Sequence, residues 1–570
     1  MKDKFLALFL ILELMFVGQA QELLSLLPAS SAVVFGTTGL AEYQDKTQDF
    51  VATFKEMQVG KRLLKALSSG ADMAELETLA IEPGAFINQE AWLALDGDAL
   101  NPIIILLAKP SAQALQLVQE GLAETELLAE DGYNIYAQPL DLEDASEAFK
   151  SIFISLDEAN FVISNDKAAL KAILARQQLG VIAEDAFVMA SGYQNSLGRL
   201  GKGQFYSYIN YALLAERLLP ALRDLSAEVG LGDLLDKLAK AFATAGVSAS
   251  VTRIVDEGLV SEGWQLANSN GGDKALYKLL SESTPLNFEL NRLIPQDALS
   301  YSLSSFNLAG WWAYLNDLSK SVPALGMTLD ELAEIFVGIK PARDLLSQLS
   351  PDMATAVTGI GEVVAPGMPN SNFLGEGIYI FKAKDISKAA SALDLALNSI
   401  AQSVAMFSDP TGGMGDAQVE DLSLAGVIVK HFEMASGIAL AYVVVEDNII
   451  VGTSLESLEK SLLAYQSGEH IGLTGVYGSS SPTLPPDASS FNLSNMASTM
   501  RSTSEQIKQQ VAVIAGLSGS SNLDFDAVDE ATQVLGDYLN FVADKLGYSS
   551  GYSQKLPSGI YSYSKSEVIW

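Results

Sequence analysis

Hydrophobic and polar residues alternate in several short runs of this chain, and helical spacing often follows such a run. Residues 151–174, SIFISLDEANFVISNDKAALKAIL, contain two β-branched and aromatic runs on either side of an acidic turn, and then a Leu-spaced stretch. A period of two is typical of strands that are buried on one face, whereas apolar residues three and four positions apart are typical of helices. The pattern predicts a strand hairpin followed by a helix.

The same pattern occurs again in the second half of the chain. Residues 440–463, LAYVVVEDNIIVGTSLESLEKSLL, contain two apolar runs, an acidic turn, a polar helix start and a Leu-spaced stretch in the same order. Residues 22–43 correspond in the same way to residues 289–311, with Pro28 matching Pro295. Blocks that recur in one order at similar displacements indicate duplication of a large unit.

Short turn signals between the strands favour antiparallel hairpins, and Ala- and Leu-rich stretches such as residues 212–229 predict helices. The expected fold class is therefore α+β, with two tandem homologous domains whose largely antiparallel sheets are covered by helices. We predict domains at residues 21–268 and 287–570, joined by a linker at residues 269–286, where the sequence is rich in turn residues.

Alternation also predicts which side chains share a face of each hairpin, and the helix after the hairpin should lay its apolar stripe on that face. The expected shared faces are Phe153, Phe161 and Ile163 in the first copy, and Tyr442, Val444, Ile449 and Val451 in the second. The expected helix stripes are Leu170, Ile173 and Leu174 in the first copy, and Leu455, Leu458 and Leu462 in the second.

The first twenty residues have the pattern of a secretory signal peptide. Two lysines precede the apolar run from Phe5 to Val17, and Gly18-Gln19-Ala20 supplies small residues for cleavage. We predict a signal peptide at residues 1–20, with Glu13 as the one feature that opposes efficient processing, because a charge inside the apolar run is costly. The apolar run is too short to span a bilayer, so we expect no transmembrane span in the mature chain and an exported location, periplasmic or extracellular.

Composition narrows the possible functions. The 570 residues carry 69 Asp and Glu against 35 Lys and Arg, a formal net charge of −34, which disfavours binding to nucleic acid or to anionic lipid surfaces. Cysteine is absent. Its absence excludes disulfides, thiolate nucleophiles, Cys-ligated zinc, iron–sulfur clusters and a lipidated N-terminal cysteine.

Three segments share an opening in which Leu-Pro or Ile-Pro precedes a Ser or Asp, an Ala and then an alternating strand. They begin at Leu27, Ile294 and Leu484. Together with the helical stretch AEDAFVMASGYQNSLGRLG before the strand QFYSYIN, these openings resemble a family of exported bacterial proteins catalogued as a domain of unknown function. The resemblance implies an exported protein and assigns no catalytic residue.

Motifs of known chemistry have simpler structural interpretations. Residues 547–551 match G-x-S-x-G, but a helix precedes them and both histidines, His431 and His470, lie upstream, so we expect a helix-to-strand connection. Ser457 and Lys460 match S-x-x-K without a following K-T-G, and we expect a helix start there, capped by Thr453 and Glu456. We therefore predict no catalytic residue, no cofactor and no metal site.

Trp311 and Trp312 form the possible interaction surface that the sequence suggests. Adjacent helical positions point about 100° apart, so both indoles do not easily enter one core, and exposed Trp is enriched at interfaces. The alternative is one Trp in the core and one at the rim of an interdomain contact.

These observations favour a non-enzymatic exported protein of the cell envelope that acts as a binding or structural scaffold. Its expected partner is an unknown envelope protein or an apolar ligand. One alternative is a periplasmic carrier of a lipid-like apolar ligand, with a pocket lined by residues such as Ile103, Ile104, Ile105 and Leu106. The other alternative is a carboxylate-dependent hydrolase, for which two carboxylates would have to face each other in a cleft.

Export with processing generates a direct prediction. N-terminal sequencing of the protein from its native envelope should begin at Gln21 or within a few residues of it. Mature protein that begins at Met1 would show that Glu13 prevents cleavage.

Overall fold

The structure is a computed structural model of the whole chain. It describes residues 23–59, 62, 90–98, 101–110, 115, 119, 122, 126–130, 132–139, 150–157, 160–179, 181–226, 231–282, 284–322, 325–359, 376–407, 419–433, 439–474, 477, 484–505 and 525–570. The predicted signal peptide and its Glu13 therefore lie outside the described residues.

The described residues form twenty β-strands, which belong to one sheet. The strands of the first half are β1 (Val33–Thr37), β2 (Ala91–Gly97), β3 (Pro102–Ala108), β4 (Glu126–Glu130), β5 (Tyr133–Pro139), β6 (Ser151–Leu156), β7 (Phe161–Ser164), β8 (Phe205–Asn210), β9 (Val247–Val255) and β10 (Gly258–Leu266). Those of the second half are β11 (Ser300–Ser305), β12 (Leu349–Gly359), β13 (Glu376–Ala383), β14 (Glu420–Leu424), β15 (Val427–Glu433), β16 (Ala439–Val445), β17 (Asn448–Gly452), β18 (Ala488–Asn495), β19 (Leu546–Leu556) and β20 (Gly559–Val568).

The α-helices that the structure describes from end to end are numbered here in chain order. They are α1 (Gln44–Glu56), α2 (Lys167–Leu179), α3 (Ser191–Asn195), α4 (Tyr211–Ser226), α5 (Gly232–Ala245), α6 (Lys274–Ser281), α7 (Leu308–Ser319), α8 (Leu329–Val337), α9 (Ile386–Phe407), α10 (Leu455–Ser467) and α11 (Phe525–Lys545). None of these helices combines the length and the apolar character that a membrane-spanning helix requires. The fold is α+β with a large antiparallel sheet, as the sequence predicted.

Neighbouring strands pair in the same order in both halves. Along the sheet the first half reads β4, β5, β6, β7, β3, β2, β1, β8, β9 and β10. The second half reads β14, β15, β16, β17, β13, β12, β11, β18, β19 and β20. Every one of these pairings is antiparallel. Each strand of the first half has its counterpart ten strand numbers later in the second half, so the two halves have the same topology.

The two halves join edge to edge through β10 and β20, which pair antiparallel in a symmetric register. Gly258 lies opposite Glu567, and Leu266 lies opposite Gly559. Residues 301 positions apart correspond in the two halves, so that Gly258 corresponds to Gly559 and Leu266 to Glu567. The pair Gly258–Glu567 is therefore equivalent to the pair Leu266–Gly559. The register is therefore isologous, with a pseudo-two-fold axis at the pair Glu262–Tyr563.

Glycine is required at both symmetric positions of this junction. Gly258 has a φ of 139° and Gly559 has a φ of 141°, a backbone region that residues with a side chain rarely adopt. A Cβ at Gly258 would lie 1.9 Å from the Ser566 carbonyl oxygen, and one at Gly559 would lie 1.9 Å from that of Gln265. Any residue with a side chain at either position would force β10 and β20 apart.

The recurrent Leu-Pro and Ile-Pro segments form the turns that precede β1, β11 and β18. The carbonyl oxygen of each proline accepts a hydrogen bond from the N–H group three residues later, which defines a β-turn. In two of the three cases the residue before proline is fully buried, and the carbonyl oxygens of Leu27 and Ile294 accept from the N–H groups of Phe187 and Ile471. The motif thus anchors a strand start to the core in both halves.

Helices pack on both faces of the sheet in the second half. Leu458 and Leu462 of α10 pack with Val443 and Ile450 on one face. On the opposite face, Leu397 of α9 packs with other residues of β16 and β17. The sheet is therefore an interior layer here, with an apolar core on each side.

The predicted faces of the two corresponding hairpins, β6–β7 and β16–β17, are correct only in part. Tyr442 lies opposite Val451, and Val444 lies opposite Ile449, so these four share a face as predicted. Phe153, however, lies opposite Ser164, whereas Ile163 lies opposite Ile154. Phe153 therefore points away from Phe161 and Ile163, and that prediction is wrong.

The helix stripe of the second half lies on the face opposite to the one predicted, and that of the first half lies on the face of Phe153, away from Phe161 and Ile163. Leu170 packs with Val162 in the first half, and Leu458 packs with Val443 and Ile450 in the second. The structural correspondence pairs Ser155 with Val443, whereas the sequence comparison pairs Ile154 with Val443. Because side chains alternate along a strand, this slip of one residue places Phe153 on the face opposite to that of Phe161 and Ile163.

The segment expected to be a linker contains a helix with its own core contacts. The Asp273 side chain caps α6 by accepting from the Leu276 N–H group, and Leu276 and Leu279 are buried. The domain limits at 268 and 287 stay predictions. Within this segment, α6 contacts β19 and β20.

Truncation of a core leucine in α10 should destabilise the protein. Leu458 is fully buried and Leu463 of the same helix is 49% exposed, which makes a matched pair. Leu458→Ala should lower the free energy of unfolding, measured in urea, by about 2–5 kcal/mol, because it removes buried methyl groups and leaves a cavity. Leu463→Ala should change it by no more than about 0.5 kcal/mol. Equal effects of the two substitutions would contradict the packing described here.

Candidate functional site

The central strands of the sheet alternate large apolar residues with small hydroxyl residues. In β11 Tyr301 and Leu303 are buried in the core, while Ser300, Ser302 and Ser304 occupy the other face. In their central parts, the strands β18, β19, β20, β9 and part of β8 carry small hydroxyl residues, glycine or asparagine on that face, whereas Ile254, Lys555 and Ile560 occupy it near the strand ends. The result is a continuous area of serine, threonine, glycine and asparagine, here called the hydroxyl surface.

Strand register aligns these residues in rows that cross the junction, because directly opposed residues of antiparallel strands point to the same face. The first row is Ser207, Ser250, Gly263, Ser562, Ser553, Ser490 and Ser304. The second row is Thr252, Ser261, Ser564, Gly551, Asn492, Ser302 and Thr355. The third row is Ser566, Ser549, Ser494 and Ser300.

Some of these hydroxyls hydrogen-bond to each other across neighbouring strands. The Oγ atoms of Ser207 and Ser250 lie 2.8 Å apart, and Thr252 Oγ1 lies 2.7 Å from Ser261 Oγ. Ser566 donates to Ser549 Oγ over 2.8 Å. A hydroxyl is one donor with two acceptor sites, so each pair keeps capacity for a further partner.

A cavity of about 340 Å³ lies over the hydroxyl surface in the second half. Its lining includes Ser300, Ser302, Thr355, Tyr379 and Asn492. That volume is at the lower end of the range of small-molecule sites, and the lining lacks charged side chains. The site offers neutral hydrogen bonds and one aromatic ring, which suits binding of an uncharged polar group.

Sequence reasoning missed the hydroxyl surface, although a signal for it was present. The runs SYSLSS at 300–305 and YSYSKS at 561–566 place serine at every second position. A period of two predicts that those serines share one face. The rows across strands required the register, which the pattern within one strand does not contain.

Trp311 and Trp312, the residues predicted as a possible interaction surface, are half-buried in α7 and both have partners within the chain. The ring of Trp311 stacks on Phe306, with centroids 5.8 Å apart. The Trp312 Nε1–H group donates to Asp330 Oδ1 of α8 over 2.8 Å. These contacts connect α7 to its surroundings, and the predicted role in binding a partner stays a prediction.

The two sequence motifs that resemble those of enzymes, residues 547–551 and Ser457 with Lys460, both lie in regular secondary structure. Residues 547–551 lie in β19, which begins directly after α11 ends, and the string is therefore a helix-to-strand connection as expected. Ser457 belongs to the capping box of α10 and Lys460 pairs with Glu456 over 2.9 Å. The residue that caps this helix is Ser454, not Thr453, because the Ser454 side chain accepts from the Ser457 N–H group.

No group of three or more His, Asp or Glu side chains that could hold a metal ion occurs among the described residues. The apolar run from Ile103 to Leu106 does not line one pocket, since Ile105 belongs to the core and its neighbours in β3 point to the other face. The lipid carrier and the hydrolase therefore remain predictions without a site assigned to them.

Among the carboxyl groups that the structure describes, Glu90 has a strongly shifted pKa, and it lies in the core away from the hydroxyl surface. Burial raises the pKa of Glu90 to about 7, although its Oε1 accepts from the Trp92 indole over 2.8 Å and from the Leu23 N–H group over 3.1 Å. The Lys109 ammonium is 3.6 Å from Oε2. Because Glu90 is fully buried, we interpret it as an anchor of the N-terminal segment to β2.

Glu90 should make stability fall as the pH rises through the acid range. The folded protein keeps the Glu90 proton up to about pH 7, whereas an unfolded glutamic acid loses it near 4.5. Between these values the folded state binds more protons, so this contribution is complete below about 4.5 and is lost towards 7. Glu90→Gln should abolish a fall of about 3 kcal/mol in the free energy of unfolding.

The measurement is urea denaturation at several pH values, with Glu216→Gln as the control. Glu216 is an exposed carboxylate on α4, and its replacement should leave the pH dependence of the wild type unchanged. Parallel curves for the wild type and Glu90→Gln would show that Glu90 titrates normally in the folded protein.

Comparisons of the chain with protein-family models, with curated proteins and with solved structures found no match. The resemblance to the exported family therefore stays a prediction. The function is argued below from the chain itself.

Proposed function

We propose that the chain is a non-enzymatic, exported scaffold of the cell envelope, with two homologous domains, that binds an uncharged polar component through the hydroxyl surface. The observation that carries the proposal is the symmetric pairing of β10 with β20. This pairing joins the hydroxyl faces of both halves into one continuous surface, which neither half has alone.

Internal duplication has three independent supports. The strand order of the two halves is the same, and their last hairpins have equivalent pairs from the turn as far as Ser248–Gln265 and Ser549–Ser566, with glycine at Gly258 and Gly559. The proline turns before β1 and β11 also make the same hydrogen bonds to the core. Agreement in topology, register and local turns supports duplication of one ancestral unit.

The assignment to the cell envelope is supported by the sequence of the first twenty residues. An apolar run flanked by lysines and small residues is typical of a secretory signal. The absence of cysteine is compatible with an oxidising compartment, where an unpaired thiol would be reactive.

The chemistry of the hydroxyl surface favours an uncharged polar partner. Its three rows contain hydroxyl, amide and glycine positions and no charged side chain. A lipid tail would leave these groups without hydrogen bonds, which is costly once water is excluded. A glycan or a polar protein segment can satisfy them, and serine side chains are small enough to permit close approach.

A bulky substitution on the surface tests the proposal. Asn492 is exposed and lies in the second row, so Asn492→Trp should obstruct the cavity without burying a new group. Tagged wild type and variant are purified from the envelope of the producing cell, and bound components are identified and quantified by mass spectrometry. We expect a component that the wild type retains to fall by about tenfold or more with Asn492→Trp, a loss of about 1.4 kcal/mol in binding.

Ser387→Trp provides the matched control. Ser387 is an exposed serine at the start of α9, outside the rows, and this variant should retain the component as the wild type does. Equal recovery with all three proteins would show that binding does not use the hydroxyl surface.

A further inference from the structure

A second cavity, of about 220 Å³, lies at one end of the central strands and differs in charge from the hydroxyl surface. It is enclosed by the ends of β11 and β19, the start of β12 and the segments that follow α6 and precede α7. Two lysines, Lys384 and Lys555, belong to its lining.

Lys555 is half-buried in β19 and holds the end of α6. Its ammonium group lies 2.8 Å from the Glu282 carbonyl oxygen and 3.2 Å from the Leu279 carbonyl oxygen. Burial lowers the pKa of Lys555, and Glu282 opposes that effect. An ammonium has three donors, so one N–H group remains after these two bonds.

Lys384 is exposed and follows β13 directly. Within the described part of the chain, neither Lys384 nor Lys555 has a carboxylate oxygen within 4 Å of its ammonium nitrogen. The Glu282 carboxylate also belongs to the lining, but it pairs with Lys278 at 3.5 Å. The lining therefore holds two ammonium groups and one carboxylate, and that carboxylate is in contact with a third lysine outside the lining.

The remaining lining combines hydroxyl groups with a small apolar wall. Thr284 and Ser305 hydrogen-bond to each other, and Ser350 donates to Asp352 over 3.0 Å. Leu346 and Leu349 supply apolar contacts. A ligand that matches this lining carries a negative charge at one end and a short aliphatic part at the other.

We propose that this cavity is a binding site for a small carboxylate with a short aliphatic stem. The carboxylate would accept from the Lys384 ammonium and from the free N–H of Lys555, and the stem would contact Leu346 and Leu349. A negatively charged ligand in this cavity would be attracted by both positively charged ammonium groups, which favours the complex. Charge-assisted hydrogen bonds are the strongest polar contacts available to such a ligand. The site is independent of the hydroxyl surface.

Titration of the full-length protein with sodium butyrate, followed by calorimetry at neutral pH and low ionic strength, tests the proposal. We expect saturable binding of butyrate and none of butyramide, which has the same shape without the charge. Lys384→Gln should weaken butyrate binding about 10- to 100-fold, because it removes one charged partner. Lys384→Arg should retain most of the affinity.

Lys388→Gln is the matched control, because it removes the same charge one helical turn away. Lys388 pairs with Asp385 at 2.8 Å and lies outside the cavity lining. It should bind butyrate as the wild type does, and thermal unfolding should show that all variants are folded. Absence of saturable binding, or equal affinities of Lys384→Gln and the wild type, would overturn the proposal. Tighter binding of inorganic phosphate than of butyrate would overturn the carboxylate assignment.

Discussion

The backbone pairing of β10 with β20 is the interaction on which the architecture depends. Each half ends in a hairpin whose last strand would otherwise present unpaired N–H and C=O groups, which is a liability in any sheet. The isologous register lets each strand satisfy the other, with nine residue pairs from Gly258–Glu567 to Leu266–Gly559. The close approach at the two glycines is the local condition for this register.

The two halves share a topology but differ in the surface that they present. Val33 and Phe35 of β1 occupy the positions that Ser300 and Ser302 occupy in β11, as the pairings with β8 and β18 show. The same strand positions are thus apolar in the first half and hydroxyl-bearing in the second. Equivalent backbones with different side chains explain why the hydroxyl surface extends further into the second half.

Acidic residues at equivalent positions of the two halves also differ in their surroundings. Glu90 and Asp352 are equivalent by strand register, but Glu90 is sealed in the core, while Asp352 accepts from Ser350 near the lysine-lined cavity. A carboxyl group buried away from water favours its neutral form, as at Glu90. The first half therefore uses this position for core anchoring, and the second half uses it to support the edge of a cavity.

Local sequence pattern was sufficient to predict the α+β class, the antiparallel hairpins, the helices after them and the recurrence of one strand–helix unit. These features depend on periodicity and turn chemistry over short windows, which a single sequence contains. The face assignment for Phe153 failed because the comparison of the two hairpins slipped by one residue, and alternation turns such a slip into a change of face. Pairing across strands defines the register, and pairing is a long-range property.

The same reason explains why the hydroxyl surface and the lysine-lined cavity emerged only from the folded chain. Serines at alternate positions are visible in SYSLSS, but their alignment with residues of β8, β9 and β20 depends on contacts between segments that are distant in sequence. Lys384 and Lys555 are likewise far apart in the chain and share a cavity because β13 and β19 end near the same loops. Sequence spacing specifies neighbours along a strand or a helix, and only three-dimensional packing specifies neighbours across them.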